Sequence, residues 1–380
     1  MIIIMTNSIK TNTLRPEHPR PQFVREDWMN LNGEWDFEID YSCTGQEREF
    51  FNRDTLDSKI IVPFCPESKL SGICNTDFMP CVWYRRNIEI PNQFKDKEAI
   101  LHFGAVDWRA EVYVNDLLVG SHTGGYTPFS FDITPALSAK GVQKLTVKVT
   151  DSTDKGFQPH GKQVLEPHGI WYTPVTGIWQ TVWIEPVPAA NHIAGITTRS
   201  DIRAGVLSVD VKTARTGSDR VCVTLSADGK TLAERSSMAG QPVHLAVEHP
   251  RLWSPDDPYL YDLTVTLVRD GRVIDRAESY AALREIATGR DANGIERMTL
   301  NGRPLFHFGP LDQGWWPDGL YTAPTDEALL YDIRFTKQLG FNMIRKHIKV
   351  EPERWYWHCD REGILVWQDM PSGDMSTGKW

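Results

Sequence analysis

Eight side chains near the end of the sequence are the best placed to do chemistry: Asp312, Gln313, Trp315, Trp316, Arg345, His347, Trp367 and Asp369. They fall at or just beyond three apolar runs, 305–308, 341–344 and 364–367. If those runs are strands, the carboxylates Asp312 and Asp369 could face each other across a pocket in acid and nucleophile roles. The alternative is structural, with Asp369 paired to Arg345 or Lys346 as a buried ion pair that fixes the strand ends. Arg345 and Lys346 are adjacent on one strand and so point to opposite faces, which leaves only one of them to meet a ligand directly. Indoles suit sugars, because the apolar face of a pyranose stacks on the ring while its hydroxyls seek polar neighbours. With 14 Trp and 11% aromatic residues the chain has more such surface than core filling needs. Trp367 reads equally as a stacking ring or as core.

Parallel strands are what would gather these residues at one edge. Two helix-like stretches separate the three runs. The first has a start signal at Pro324 and Thr325, anionic Asp326 and Glu327 where the helix dipole favours them, and a stop at Gly340. Its residues Ala328, Tyr331, Phe335 and Leu339 recur at helical spacing and are expected to pack on the sheet. The second opens at Glu351 and Pro352, places Trp355 and Cys359 one turn apart, and stops at Gly363. Strand, helix, strand at this spacing matches the start of a (β/α) barrel, whose chemistry sits where the strands end. Three such strands leave an open edge, so the chain is expected to be a fragment or a truncated product.

Upstream the pattern is all-β. From Trp28 to Pro188 short strands alternate with turns; Leu145, Val147 and Val149 face one side and Lys144, Thr146 and Lys148 the other. Asn115-Asp116 between two apolar runs reads as a hairpin. The loop 156–177, rich in Gly, Pro and His, is long enough to be functional; His160 and His168 are expected to serve it as hydrogen-bonders. From Ala189 to Ile286, alternating Val221, Val223, Leu225 and Leu263, Val265, Leu267 with turns at Asp228-Gly229 and Asp270-Gly271 suggest an immunoglobulin-like sandwich. That section shows no catalytic grouping and reads as a spacer.

A net charge of −9 argues against a nucleic-acid footprint, and no 18-residue apolar run offers a membrane span. The run Met1–Met5 is too short for a signal peptide's apolar core. The six cysteines, at 43, 65, 74, 81, 222 and 359, include no CxxC pair, so they read as free thiols in a cytoplasmic protein rather than as a metal cluster.

Several strings in order complete a family pattern: Leu31-Asn32-Gly33-Glu34-Trp35, Trp83-Tyr84-Arg85-Arg86, residues 177–185, Leu252-Trp253-Ser254-Pro255, Leu283-Arg284-Glu285-Ile286, Leu300-Asn301-Gly302-Arg303-Pro304, and 340–347. Over nearly its whole length the chain resembles the N-terminal portion of glycoside hydrolase family 2, the β-galactosidases, β-glucuronidases and β-mannosidases. The resemblance implies a jelly-roll β-sandwich over 1–188, an immunoglobulin-like β-sandwich over 189–286, and over 287–380 an incomplete (β/α)8 TIM barrel of about three βα units. It implies retaining hydrolysis of a terminal β-linked sugar by two glutamates expected beyond residue 380. Arg345 and His347 match the family's polar pair after the second strand and would bond sugar hydroxyls or the nucleophile; Asp312-Gln313 stand where many members have a His. The partner implied is a carbohydrate, with no nucleic acid or membrane; homo-oligomers are common in the family, and no cofactor is expected beyond Mg²⁺ or Na⁺ by analogy. The second reading is a non-catalytic carbohydrate-binding or assembly module with Trp28, Trp35, Trp83 and Trp108 as a stacking platform, although Trp35 and Trp83 lie inside strand-like runs.

Overall fold

The computed structural model describes residues 14–139 and 141–373; the Met1–Met5 run lies outside them. Alternating side chains build the first sandwich. Its six-stranded sheet runs Ser58–Val62, Gly33–Ile39, Cys81–Glu89, Val142–Thr150, Arg109–Val114, Leu117–Thr123, and its four-stranded sheet runs Met29–Asn30, Val182–Pro188, Lys97–Phe103, Phe129–Asp132. Leu145, Val147 and Val149 are fully buried between them, as their alternation requires. Asn115 and Asp116 both take positive φ, the requirement of a tight two-residue hairpin turn, as do Asp228-Gly229 and Asp270-Gly271.

The second sandwich pairs a three-stranded sheet, Ile193–Asp201, Val206–Thr213, Val243–Ala246, with a four-stranded one, Lys230–Met238, Arg220–Ala227, Tyr261–Arg269, Arg272–Ala281. Val221, Val223, Leu225, Leu263, Val265 and Leu267 form its core. Residues 14–25 tie the units together: Arg25 bonds Glu185 at 2.9 Å and Asp275 at 3.0 Å, and Arg354 donates to the His18 carbonyl.

Trp28, Trp35 and Trp83 are at most 1% exposed, so three of the four proposed platform rings are core. Burying an indole removes more apolar surface from water than any exposed platform could. Cys65 packs with Tyr126 and Trp179 while Cys81 packs with Phe50 and Trp83, so the cysteines of 65–81 do not converge on one point.

The last unit is a parallel three-stranded sheet, Leu311–Asp312, Met343–Lys346, Leu365–Gln368, with helices α1 (Asp326–Gln338) and α2 (Glu353–Glu362) between the strands. The Thr325 hydroxyl accepts from the Ala328 N–H at 3.1 Å and caps α1, and Gly363 closes α2 with φ 77°. Two expectations fail here. The first strand is not 305–308: Phe306 and Phe308 are exposed, and the ladder forms only at Leu311–Asp312. Pro310 has no N–H to return a bond, so the backbone bonds here run one way, from Asn342 and Arg345 to the carbonyls of Phe308 and Pro310, while the Phe308 N–H turns to the Asn342 side chain at 2.9 Å instead of to a strand carbonyl. Nor does the stripe Tyr331, Phe335, Leu339 pack on the sheet. All three are exposed, and Leu329, Ile333 and Thr336 are buried instead. The helix is apolar on two faces, and among the described residues only one is covered.

Candidate functional site

The alternation of one strand divides this site. Arg345 and Lys346 are neighbours, yet the Arg345 side chain is 45% exposed and that of Lys346 only 1%.

On the open face, the Arg345 guanidinium grips the Asp369 carboxylate with two bonds, Nη2 to Oδ2 at 2.9 Å and Nε to Oδ1 at 3.1 Å. His347 Nδ1 lies 2.7 Å from the same Oδ2. These bonds hold the Asp369 carboxyl below its usual range, Arg345 contributing most. Beside them the Trp367 indole N–H donates to His307 Nδ1 at 2.8 Å. An accepting Nδ1 puts the neutral ring's proton on Nε2, and burial lowers the His307 pKa, which favours that neutral form. The open face therefore carries a fixed carboxylate, two imidazoles and an exposed indole.

The covered face holds two lysines and two acids in charge balance. Lys346 Nζ donates to Asp312 Oδ2 at 2.7 Å and Glu351 Oε1 at 2.8 Å, with its ammonium 4.3 Å above the Trp355 ring. Lys349 Nζ donates to the same Glu351 oxygen at 3.0 Å and to the carbonyls of Gly314 and Tyr321 at 2.7 Å. Burial outweighs these partners and pushes Lys349 down to about 8. Burial alone would raise Asp312, but the Lys346 ammonium brings it below the ordinary value. Gly314 is required here: its φ is +61°, and a Cβ would come within 2.1 Å of Glu351 Oε1.

The loop 156–177 of the first sandwich reaches these strand ends. The His160 and Gly161 N–H groups donate to the Ser372 carbonyl at 2.9 and 3.0 Å. Lys162 Nζ donates to Gln313 at 3.3 Å, and Tyr172 stacks on Trp315 with centroids 4.4 Å apart. His168 bonds its own loop, 2.7 Å from the Glu166 carbonyl oxygen.

The eight residues marked in the sequence thus divide into three groups. Arg345, His347, Trp367 and Asp369 share the open face; Asp312, Gln313 and Trp315 meet the buried cluster and the loop. Trp316 belongs with neither, since it packs against the core between α1 and α2 and bonds Leu320 through both backbone groups. Sequence reading missed His307, Lys349, Lys162 and Tyr172, and took Glu351 for a helix start when its carboxylate serves the lysines. A basic-acidic alternation, Lys346, Lys349, Glu351, was the available signal.

Residues 28–188 match the family described as Glycosyl hydrolases family 2, sugar binding domain, and residues 191–284 match Glycosyl hydrolases family 2. The chain belongs to glycosyl hydrolase family 2. A β-galactosidase of Thermoanaerobacter pseudethanolicus is 26% identical over 319 residues, 78% of this chain and 40% of that protein. Rat β-glucuronidase is 25% identical over 374 residues, 90% of this chain and 56% of that one. The solved β-glucuronidase of Ruminococcus gnavus in complex with D-glucuronic acid superposes with a TM-score of 0.78 at 22% identity, covering 92% of this chain and 61% of that one. The chain thus spans about two fifths to three fifths of the length of these proteins.

Proposed function

We propose that the protein is a retaining exo-glycosidase acting on a terminal β-linked sugar, and that the open face formed by Arg345, His347, Trp367 and Asp369 is its sugar-recognising wall. The observation that carries this is the shared network at the strand ends, Arg345 to Asp369 to His347, with an exposed indole beside it. Trp367 would take the apolar face of the ring, and the imidazoles its hydroxyls. The relatives named β-galactosidase and β-glucuronidase support a β-glycoside as substrate. On this reading the described residues up to 188 form a jelly roll, 189–286 an immunoglobulin-like unit, and the parallel strands from Leu311 onward the first staves of a (β/α)8 barrel.

We further propose that the acid and the nucleophile are not among the described residues. Retaining hydrolysis needs one carboxyl kept protonated near neutral pH and a second carboxylate about 5–5.5 Å away. Asp312 and Asp369 are both held below their ordinary values by cations, so neither can be the proton donor. Their role is to position Lys346 and the Arg345–His347 pair. Arg345 is already matched to Asp369, and Lys346 is buried; Lys162 has no carboxylate within ion-pair distance among the described residues, which makes it the cation available to a uronate.

The test is turnover of 4-nitrophenyl β-D-galactopyranoside and β-D-glucuronide by residues 1–380. The expected result is none. Turnover that disappears in Asp312→Asn or Asp369→Asn would overturn the assignment of these two acids.

A further inference from the structure

A cavity of about 330 Å³ lies where residues 15–20, the four-stranded sheet of the first sandwich and the start of α2 meet. Its lining includes none of Arg345, His347, Trp367 or Asp369. The volume sits at the lower end of the roughly 300–1,000 Å³ of small-molecule sites, which suits one or two rings rather than a long chain.

The walls mix aromatic surface with polar atoms of both kinds. Tyr126, Phe129 and Tyr356 supply ring surface. The Arg20 Nε donor and the Glu353 Oε2 acceptor are buried and have no hydrogen-bond partner among the described residues; their closest approach, 3.9 Å, is too long for a bond. Glu351 also lines the cavity, with a side chain 1% exposed and an Oε2 that no described residue bonds. Buried polar atoms of this kind normally have partners.

Charge decides the class of ligand. Each arginine of the lining already faces a carboxylate: Arg15 with Glu17 at 2.5 Å, Arg354 with Asp326 at 2.6 Å, and Arg20 with Glu353. An anion would meet Glu351 and Glu353, and a cation would meet three guanidinium groups. A hydroxyl both donates and accepts, so it can satisfy Arg20 Nε and a glutamate oxygen together. We propose that this cavity is a second carbohydrate site, separate from the strand-end face, that binds a neutral pyranoside between its aromatic walls and the Arg20, Glu351 and Glu353 side chains. The site does not depend on the strand-end face being catalytic.

The experiment is calorimetric titration of methyl β-D-glucopyranoside into Arg345→Ala protein, a background that disables the strand-end face. Ser130, exposed at the cavity wall on strand Phe129–Asp132, is changed to Trp to fill the space, and separately Arg20→Met removes the unpartnered donor. Saturable millimolar binding is expected in the Arg345→Ala protein, weakened at least tenfold by either change. Circular dichroism checks that each variant is folded, and Arg20→Met decides the matter if Ser130→Trp is not. The proposal is overturned if the Arg345→Ala protein shows no saturable binding, if both variants bind as it does, or if D-glucuronate binds and the neutral glycoside does not. Failure of the glycosidase reading is read elsewhere, by the absence of a sugar ring at Trp367.

Discussion

Changing Glu351 to Gln keeps the shape of the residue and removes the one negative charge that Lys346 and Lys349 share. Both ammonium groups lie within 3.0 Å of the same oxygen, and the side chains involved are at most 1% exposed. Removing one partner from a buried ion pair costs roughly 3–5 kcal/mol. The cluster has one relief. Lys349 titrates at about 8, so shedding its proton at pH 7 costs only about 1.4 kcal/mol, and the penalty at that pH belongs near the lower bound, ~3 kcal/mol. The sign of the pH effect follows from the same value. The folded Lys349 pKa lies below the ordinary ~10.4, so between about 8 and ~10.4 the unfolded chain binds more protons and this group's contribution to stability rises with pH. At pH 9 the wild-type ammonium is mostly neutral, only Lys346 needs an anion, and Asp312 still supplies one. The Glu351→Gln penalty should therefore shrink between pH 7 and pH 9. Urea unfolding followed by tryptophan fluorescence, with Trp355 beneath Lys346 among the reporters, measures both values. A penalty under ~1 kcal/mol at pH 7, or one just as large at pH 9, would refute the balanced cluster.

Arg345→Ala, one residue away on the same strand, should change stability by no more than about 1 kcal/mol, because its pair is half exposed; the same urea titration reads it. Burial holds the Glu67 carboxyl up at about 8, against an ordinary ~4.3, so the folded state binds the extra proton and stability falls as pH rises between those values. Glu67→Gln, which can still accept from the Thr176 N–H, should add up to about 4 kcal/mol at pH 7 and flatten the melting temperature between pH 5 and 8. Thr325→Ala removes the α1 cap and should cost ~1 kcal/mol in the same unfolding assay. In a protein that turns over glycosides, Lys162→Ala should raise KM for β-glucuronides and leave that for β-galactosides within a factor of two; equal effects on both would remove Lys162 from uronate recognition.

Local chemistry that depends on neighbours in sequence was legible. Alternation gave the buried sides of both sandwiches, dipeptides with positive φ gave the hairpins, and Thr325 and Gly363 marked helix ends. The opposite orientation of Arg345 and Lys346 followed from the pleat alone. What failed depended on partners distant in sequence. Residues 328, 331, 335 and 339 and residues 329, 333 and 336 are both good helical stripes, and periodicity cannot say which one Trp355, Ile344 and Ile364 will cover. The run 305–308 is apolar like a strand, but Pro310 and the register with Asn342 delay the ladder to Leu311. His307 shows no signal in sequence, because its partner Trp367 lies 60 residues on.

The most direct measurement is the position of a sugar ring in crystals of the protein soaked with D-galactose or D-glucuronate. Recognition at the strand ends predicts a ring against Trp367 with hydroxyls within hydrogen-bond distance of His307 or His347, and loss of that ring in Arg345→Ala crystals. No ring at Trp367 at saturating sugar, or one that persists unchanged without Arg345, would contradict it.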